Sequence, residues 1–268
     1  MTTPVPDRLD EPTPASRPTA AIDDPNRHLR LPGTRNLRDV GGYPAGTGRQ
    51  TRWRTLLRTD ALDRLPPASQ ATLLDLGLRQ VIDLRWPEEL DESPSVFRAS
   101  DRVAYRAIPL LRDDPTPRVG LAGTYLHMLD ERGPQLAAVV RSLIEPGGLP
   151  AVIGCAAGKD RTGVAIALVL SAVGVPDDVI VEDYALSLAA FASAVKDEHL
   201  VDWRADALEV ECVPEYMAGA LSHLEQRHGG AHALLREHGL TESELERLTD
   251  LVTEPAEAAS APADEPAT

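Results

Sequence analysis

The stretch of sequence that decides the fold is VIGCAAGKDRTG, which covers residues 152–163. An apolar strand ends at Gly154, a loop of small residues follows, and an almost wholly apolar helix begins directly after the loop. The loop N–H groups and the first N–H groups of the helix then surround one point at the positive end of the helix dipole. Ala156, Ala157 and Gly158 carry little or no side chain, so an anion can approach this backbone closely. The stretch therefore predicts an anion-binding loop between a strand and a helix.

Three side chains of this loop carry chemistry. The positive field that attracts an anion also favours the thiolate form of Cys155, which is the nucleophilic form of a cysteine. Arg161 offers a planar fork that matches two oxygens of a phosphate. The hydroxyl of Thr162 is placed to donate to the sulfur and to ease its departure as a leaving group. One loop thus combines a nucleophile, a cradle for an oxyanion and a guanidinium clamp.

The segments around the loop alternate between helical and extended patterns. Extended apolar patterns cover residues 78–84, 103–110 and 150–154. Helical patterns cover residues 67–75, 135–144, 162–173, 181–195 and 241–251. The last of these helices opens with a capping box, Thr241 and Glu244. Strands separated by helices predict an α/β domain with a central, mostly parallel sheet flanked by helices, in which the loop joins a strand to a buried helix.

The two ends of the chain differ in composition from its middle. Residues 1–26 contain six prolines and almost no apolar periodicity, and residues 253–268 are rich in Ala, Pro and Glu. Such segments bury too little apolar surface to offset the entropy lost on ordering, so both are predicted to be disordered tails. Residues 27–252 are predicted to form one domain.

Composition excludes several classes of protein. The chain carries 42 acidic and 27 basic side chains, a formal net charge of −15, which disfavours a nucleic-acid partner. No apolar run reaches the roughly 18 residues of a membrane span, so no integral membrane segment is expected. The two cysteines, Cys155 and Cys212, make no disulfide framework. A reducing cytoplasm is the expected compartment, and export without a signal peptide stays open as an alternative.

At residues 155–163 the loop resembles the Cys-x-Ala-Gly-Lys-Asp-Arg-Thr-Gly signature of the bacterial and fungal tyrosine-phosphatase-like family of atypical protein-tyrosine and lipid phosphatases. Further elements of that family occur in the expected order: GTRNLRDVGGY at 33–43, LRTDAL at 57–62, DLR at 83–85 with Glu88 and Glu89 behind it, and DY at 183–184. Together the matches span about residues 31–190. Several spaced motifs are far more specific than the loop alone.

The resemblance implies a phosphatase-type α/β fold that hydrolyses phosphomonoesters without a metal ion or other cofactor. Its substrates would be phosphotyrosine, phosphoserine or phosphothreonine in proteins, or phosphoinositides. Cys155 would attack phosphorus to form a cysteinyl-phosphate, Arg161 and the loop amides would hold the equatorial oxygens, and water would release phosphate. The sequence departs from the family at one position, since Gly154 stands where a His usually precedes the cysteine.

Two candidates compete to protonate the leaving oxygen. The resemblance assigns this role to Asp160, which lies inside the loop next to Arg161. The segment Trp86-Pro87-Glu88 superficially resembles the Trp-Pro-Asp acid loop of ordinary tyrosine phosphatases, but it also fits a turn at the end of a strand. We favour Asp160 as the acid and a turn at Trp86-Pro87.

Three more charged residues are candidates for substrate binding, together with the small residues of the loop. Lys159, one of two lysines in the chain, either contacts the acidic groups of a phosphoinositide head group or is a solvated loop side chain. Asp83 and Arg85 stand at the end of a predicted strand, where the sites of α/β folds form. These two residues either hydrogen-bond the loop or have a purely structural role.

Other polar side chains are given structural roles. Charged residues of the N-terminal motifs are predicted to form a scaffold of ion pairs: Arg38, Asp39, Arg58 and Asp60. Four histidines near the C-terminus are predicted to be solvated or locally paired rather than metal ligands: His223, His228, His232 and His238. Gly229 and Gly230 split that group and interrupt a helix through it, and no ligand motif fits. Cys212 is predicted to be buried rather than to be a redox partner of Cys155.

Two other functions remain as alternatives. A rhodanese-type sulfurtransferase also places a cysteine in an anion loop, but its loop lacks the Arg-Thr-Gly helix start found here. A noncatalytic phosphate-binding module is motivated by Gly154 in place of histidine. The physiological substrate, the preference for protein or lipid and the oligomeric state stay open at this point.

Overall fold

The structure, a computed structural model, describes residues 22, 24–111, 116–194 and 212–256. Its helices are α1 Pro67–Asp75, α2 Pro87–Glu92, α3 Thr116–Glu131, α4 Gly133–Ile144, α5 Asp160–Ala172, α6 Asp177–Ala194, α7 Pro214–His228, α8 Ala231–Glu237 and α9 Glu242–Val252. Its strands are β1 Arg38–Asp39, β2 Pro44–Ala45, β3 Arg49–Thr51, β4 Leu56–Thr59, β5 Gln80–Asp83, β6 Ala104–Ala107, β7 Ala151–Gly154 and β8 Thr253–Pro255.

The central sheet has the strand order β1-β4-β7-β5-β6, with β7 in the middle. Strands β4, β7, β5 and β6 are parallel, and β1 is antiparallel to β4 at one edge. The register places Gly154 opposite both Thr59 and Asp83, so the carboxyl ends of three strands meet beside the loop that follows β7. Sites of α/β folds form at this end of a parallel sheet. The predicted α/β class with a mostly parallel sheet flanked by helices is confirmed.

Apolar side chains pack on both faces of this sheet. Neighbouring residues of a strand point to opposite faces, so Val152 and Val81 lie in one buried cluster while Ile153 and Ile82 lie in the other. Helix α5 contributes most of its length to the second cluster, and nearly every side chain from Val164 onward is buried. A helix that is apolar on all sides must be covered on all sides, which anchors the N-terminus of α5 at a fixed position beside the sheet.

The predicted elements agree closely with the observed ones. Helix α1 has the predicted bounds, and the capping box of α9 is confirmed, because Thr241 Oγ1 accepts from the Glu244 backbone and the Glu244 carboxylate accepts from the Thr241 backbone. The predicted helix 162–173 begins two residues earlier, at Asp160. The predicted helix 181–195 begins earlier too, at Asp177, and its last residue lies outside the described part of the chain.

Both predicted tail boundaries need correction. Residues 253–255 form β8, which pairs with β3 in a second, antiparallel sheet of order β2-β3-β8. Thr253 is buried there, and Arg49 Nε donates to its hydroxyl at 2.6 Å. Pairing with strand β3 thus orders a segment whose composition is typical of a disordered tail. At the other end, Ile22 packs against the core. Residues 1–21 and 257–268 lie outside the described residues. Within the ranges given above, no helix combines the length and the apolar character needed to cross a membrane.

Candidate active site

The loop between β7 and α5 is pressed against the end of β4. Cys155 follows directly after β7 and is buried, with 2% of its surface exposed. Gly158 adopts a positive φ of 66°, and a Cβ atom there would lie 2.3 Å from the carbonyl oxygen of Thr59. Only glycine fits both this backbone conformation and this close approach. The small residues that the sequence analysis linked to anion access are thus also needed for packing behind the loop.

Donors behind the loop hold its carbonyl oxygens. Asn36 Nδ2 donates to the carbonyls of Ala157 and Gly158, each at 3.0 Å. Arg58 Nη2 donates to the carbonyl of Gly158 at 2.9 Å, and the backbone of Ala61 donates to that of Ala156 at 3.2 Å. The C=O and N–H of a trans peptide unit point in opposite directions. Three successive carbonyls drawn backward therefore turn three loop N–H groups to the other side, as an oxyanion cradle requires.

A buried ionic network fixes these donors. Arg38 Nε donates to Asp183 Oδ1 at 3.0 Å, Arg58 Nη1 donates to Asp183 Oδ2 at 2.6 Å, and the Tyr43 hydroxyl donates to Asp183 Oδ1 at 2.9 Å. Burial opposes ionisation of Asp183, but the two arginines outweigh it and hold its pKa well below the usual range. Burial and the neighbouring charge of Arg58 lower the pKa of Arg38 to about 10. Arg38 and Arg58 thus form ion pairs, as predicted, and both share Asp183 of α6 as their partner.

Asp39 and Asp60 complete this scaffold. Asp39 pairs with Arg54 at 3.3 Å and accepts the backbone N–H groups of Gly41 and Arg54. Asp60 accepts the backbone N–H groups of Arg35 and Asn36, which lie shortly before β1. The carboxylates therefore lock the segment that carries the Asn36 side chain against the loop.

Arg161 is held by two residues of the segment after β5. Its terminal nitrogens donate to both carboxylate oxygens of Glu89, at 2.5 and 2.9 Å, and its guanidinium lies 4.7 Å from the ring centroid of Trp86. Burial alone would lower the pKa of Arg161. The hydrogen bonds to Glu89 and the electrostatic interaction with Cys155 outweigh burial and raise this pKa above its usual value. A guanidinium has five N–H donors, so the remaining donors are available to a phosphate.

Glu89 is the site residue to which the sequence analysis assigned no role. Glu89 is the third residue after Trp86, the N-cap of α2, and its carboxylate accepts the backbone N–H of Trp86 at 3.0 Å. A glutamate at this position is a sequence signal for a helix cap, and it could have pointed to Glu89. The predicted turn at Trp86-Pro87 is corrected, since Trp86 is the N-cap of helix α2 and Pro87 is its first residue. Glu88, the rival acid, is exposed on that helix.

Asp160 is the first residue of α5 and keeps 29% of its side chain exposed. Its Oδ1 accepts a hydrogen bond from the Tyr125 hydroxyl at 2.5 Å, and that hydroxyl lies 2.7 Å from the hydroxyl of Tyr184. Burial and the charge of Asp160 raise the pKa of Tyr125, so the phenol stays protonated and donates. The arrangement orients a carboxyl group beside the loop and leaves it accessible, as a proton donor to a leaving group requires.

Lys159 and Thr162 differ from expectation. Lys159 is buried, and its Nζ lies 3.4 Å from Asp160 Oδ1, so the interpretation as a solvated lysine is wrong. Thr162 is buried inside α5, and its hydroxyl has no hydrogen-bond partner among the described residues, so the predicted donation to the Cys155 sulfur is not made. Cys212 is a buried free thiol, as predicted, and donates to the carbonyl of Tyr184 at 3.4 Å.

Asp83 and Arg85 lie beside the loop but use their side chains on each other. Arg85 Nε and Nη2 donate to Asp83 at 3.0 and 2.8 Å, Arg85 Nη1 donates to the carbonyl of Ser93 at 2.8 Å, and the Tyr105 hydroxyl donates to Asp83 at 3.0 Å. Ser93 follows the end of α2, so this pair braces the helix that carries Glu89. Of the two predicted roles, this geometry favours the structural one.

Several known proteins are similar to this chain. The crystal structure of TpbA from P. aeruginosa matches with a TM-score of 0.37 and 16% identity, covering 79% of this chain and 100% of that one. The triple specificity protein phosphatase PtpB of Mycobacterium tuberculosis is 29% identical over 271 residues, 81% of this chain and 96% of the relative. A tyrosine-protein phosphatase of Nostoc commune is 30% identical over 214 residues, 72% of each chain. Since a sequence model of the tyrosine phosphatase family also matches residues 29–254, the chain belongs to that family and is a phosphatase-type hydrolase.

Proposed function

We propose that this protein hydrolyses phosphotyrosine through a cysteinyl-phosphate on Cys155, with no metal ion taking part in the reaction. The observation that carries the proposal is the loop geometry. Carbonyls of Ala156, Ala157 and Gly158 are bound from behind, while Cys155 and Arg161 flank the N–H groups that face the other way. A fixed ring of donors and a guanidinium stabilise the charge of a transferring phosphoryl group without a metal ion.

The reaction divides into two steps. The Cys155 thiolate attacks phosphorus, the bond between phosphorus and the leaving oxygen breaks, and Asp160 gives its proton to that oxygen. A water molecule then attacks phosphorus and loses a proton to Asp160, the phosphorus–sulfur bond breaks, and inorganic phosphate leaves the regenerated thiolate. Arg161 and the loop N–H groups hold the equatorial oxygens through both steps. The hydrogen bond from Tyr125 orients Asp160, which acts as the acid in the first step and as the base in the second.

The packing at Gly154 supports catalysis by a loop that lacks the usual histidine. A Cβ atom at this position would lie 2.9 Å from Thr59 Cγ2 and 3.2 Å from the carbonyls of Thr59 and Asp60, so no larger side chain fits without movement. Asn36 and Arg58 donate to the loop carbonyls and so orient the loop without a histidine. The noncatalytic phosphate-binding module is therefore the less favoured alternative. Membership of a phosphatase family leaves the sulfurtransferase without support.

The proposed substrate range includes phosphoserine, phosphothreonine and phosphoinositides beside phosphotyrosine. The name of the Mycobacterium relative, a triple specificity protein phosphatase, supports testing this range. The proposed compartment is the cytoplasm, supported by two buried thiols that remain free, Cys155 and Cys212. Separation of cell extracts into cytoplasmic and secreted fractions tests that part.

Hydrolysis of p-nitrophenyl phosphate in the presence of EDTA tests the chemistry. Wild-type protein is expected to turn over, and Cys155→Ser to lose activity, whereas Cys212→Ser serves as the matched control and retains it. Trapping radiolabelled phosphate on the wild type but not on Cys155→Ser identifies the intermediate. Phosphopeptide binding without any turnover would instead support the binding module. A parallel screen of phosphopeptides and phosphoinositides then ranks the substrates.

A further inference from the structure

Three potential metal ligands converge where α3 and α7 meet, and none of them belongs to the loop between β7 and α5. Asp130 lies one residue before the end of α3, and His223 and His228 lie in the last two turns of α7. Both imidazole Nε2 atoms are 2.8 Å from the same oxygen, Asp130 Oδ1. One ligand atom from each of the three residues lies within 4.8 Å of the other two.

This convergence is not a by-product of helix periodicity. Residues five apart on an α-helix point about 140° away from each other, because each residue turns the helix by about 100°. His223 and His228 nevertheless bring their rings to one oxygen, with ring centroids 5.7 Å apart and planes at 71°. Two rings that reach the same point from different faces of a helix enclose that point rather than stack beside it.

Two glycines after His228, together with the lack of a ligand motif, led to the prediction that these histidines bind no metal. In the structure α7 continues through His228, and Gly229, with a φ of 74°, forms the left-handed cap after the last helical residue. The helix therefore ends after the pair and not between its members. His232 belongs elsewhere, since its Nε2 lies 2.7 Å from the carbonyl of Ala172.

We propose that Asp130, His223 and His228 form a binding site for one divalent cation of the zinc class. Two imidazole nitrogens and one carboxylate oxygen are a donor set that suits zinc, whereas calcium and magnesium prefer oxygen ligands alone. Water supplies the fourth tetrahedral position, because the side chains keep between 12% and 36% of their surface exposed. The cation lies outside the reaction and joins two helices.

The position of the site gives the cation a structural role. It fastens the end of α3 to the end of α7, and α3 also carries Tyr125, the residue that orients Asp160. Side-chain partners that merely support metal ligands are worth about 10- to 100-fold in affinity, so loss of a ligand itself is expected to cost at least as much. Metal binding is coupled to folding, so the bound cation raises the melting temperature.

The test measures zinc binding to EDTA-treated, dialysed protein by titration calorimetry. The Cys155→Ser background is used throughout, so that the nucleophilic thiolate does not compete for the metal. One zinc per chain is expected, and Asp130→Asn and His223→Gln are each expected to weaken binding at least tenfold. His127→Gln, a histidine substitution on α3 outside the cluster, is the matched control and is expected to bind as the parent does.

Two further readouts separate the site from a pair of hydrogen-bonded ion pairs. Cobalt(II) in a tetrahedral site of nitrogen and oxygen ligands gives visible absorption that Asp130→Asn is expected to remove. Zinc is expected to raise the melting temperature of the parent but not that of His223→Gln. A cooperative melting transition in each protein shows that both are folded. Absence of stoichiometric zinc, or equal affinity in the parent and both ligand variants, overturns the proposal. Either outcome leaves the phosphatase test unaffected, since that test uses EDTA.

Discussion

Arg161 and Glu89 form a two-pronged ion pair in which both terminal nitrogens of the arginine donate to the carboxylate, at 2.5 and 2.9 Å. The pair joins the phosphatase loop to helix α2, which Arg85 in turn braces through the carbonyl of Ser93. The arginine side chain keeps only 10% of its surface exposed, so its direction is set before a substrate arrives. The orientation of the Arg161 guanidinium is thus set by a residue from a different segment of the chain.

Replacement of Glu89 by alanine is expected to lower kcat/KM for p-nitrophenyl phosphate by about 100-fold, because misplacement of a positioning group by about 1 Å costs that much. Steady-state kinetics measure the effect, and Glu88→Ala, a change at the exposed neighbour on the same helix, is the control. Equal kinetics for Glu89→Ala and the wild type would show that the substrate orients Arg161 by itself.

Replacement of Asp160 by asparagine is expected to slow turnover of alkyl phosphates by about 100- to 10,000-fold, the usual contribution of a general acid. Aryl phosphates with good leaving groups need no proton donor in the first step, so their kcat/KM, which reports that step alone, is expected to change far less. A series of phosphate esters with graded leaving groups measures the difference. Glu88→Gln tests the rival residue, and a larger leaving-group effect in that variant would move the role to α2.

The loop and three strands of the central sheet, β5, β6 and β7, could be predicted because their information is local. The run from Val152 to Gly163 contains its own strand, turn and helix start, and α1 is bounded by proline and glycine within a few residues. Helix α7 was not predicted, because its apolar positions are few and interrupted by polar side chains. Strands of two or three residues, such as β1 and β8, have no pattern of their own and form through their partners.

The site could be predicted only where one segment supplied all of its parts. Cys155 and Arg161 were found from their spacing and Asp160 from the family resemblance of the loop. The donation from Asn36 to the loop spans 121 residues of sequence and depends on tertiary packing. A motif indicates which side chains are present, but the partners of those side chains follow from the fold.

Replacement of Gly158 by alanine is expected to distort the loop, because it combines a positive φ with a Cβ placed 2.3 Å from the Thr59 carbonyl. Gly147 is a matched control, since its φ of 80° is similar and no atom lies within 4 Å of its Cβ position. The left-handed conformation alone costs about 1–2 kcal/mol, which is the loss expected for Gly147→Ala. Urea unfolding is expected to show a larger loss for Gly158→Ala, together with loss of phosphatase activity, and equal losses for the two variants would contradict the packing argument.

Replacement of Asp183 by asparagine is expected to destabilise the fold by about 3–5 kcal/mol near neutral pH, because it leaves Arg38 and Arg58 buried without their counter-charge. The folded protein holds the pKa of Asp183 below its ordinary value of about 3.9, so its contribution is complete above that value and is lost as the pH falls below it.

The difference in unfolding free energy between the wild type and Asp183→Asn is therefore expected to shrink as the pH is lowered from about 6 to about 3. Urea titrations of both proteins across this range measure it. Asp91→Asn removes a carboxylate whose side chain is 74% exposed and pairs with Arg98, so it is expected to cost less than about 1 kcal/mol at any pH. A gap between wild type and Asp183→Asn that stays constant with pH would mean that Asp183 does not stabilise the folded state through its charge.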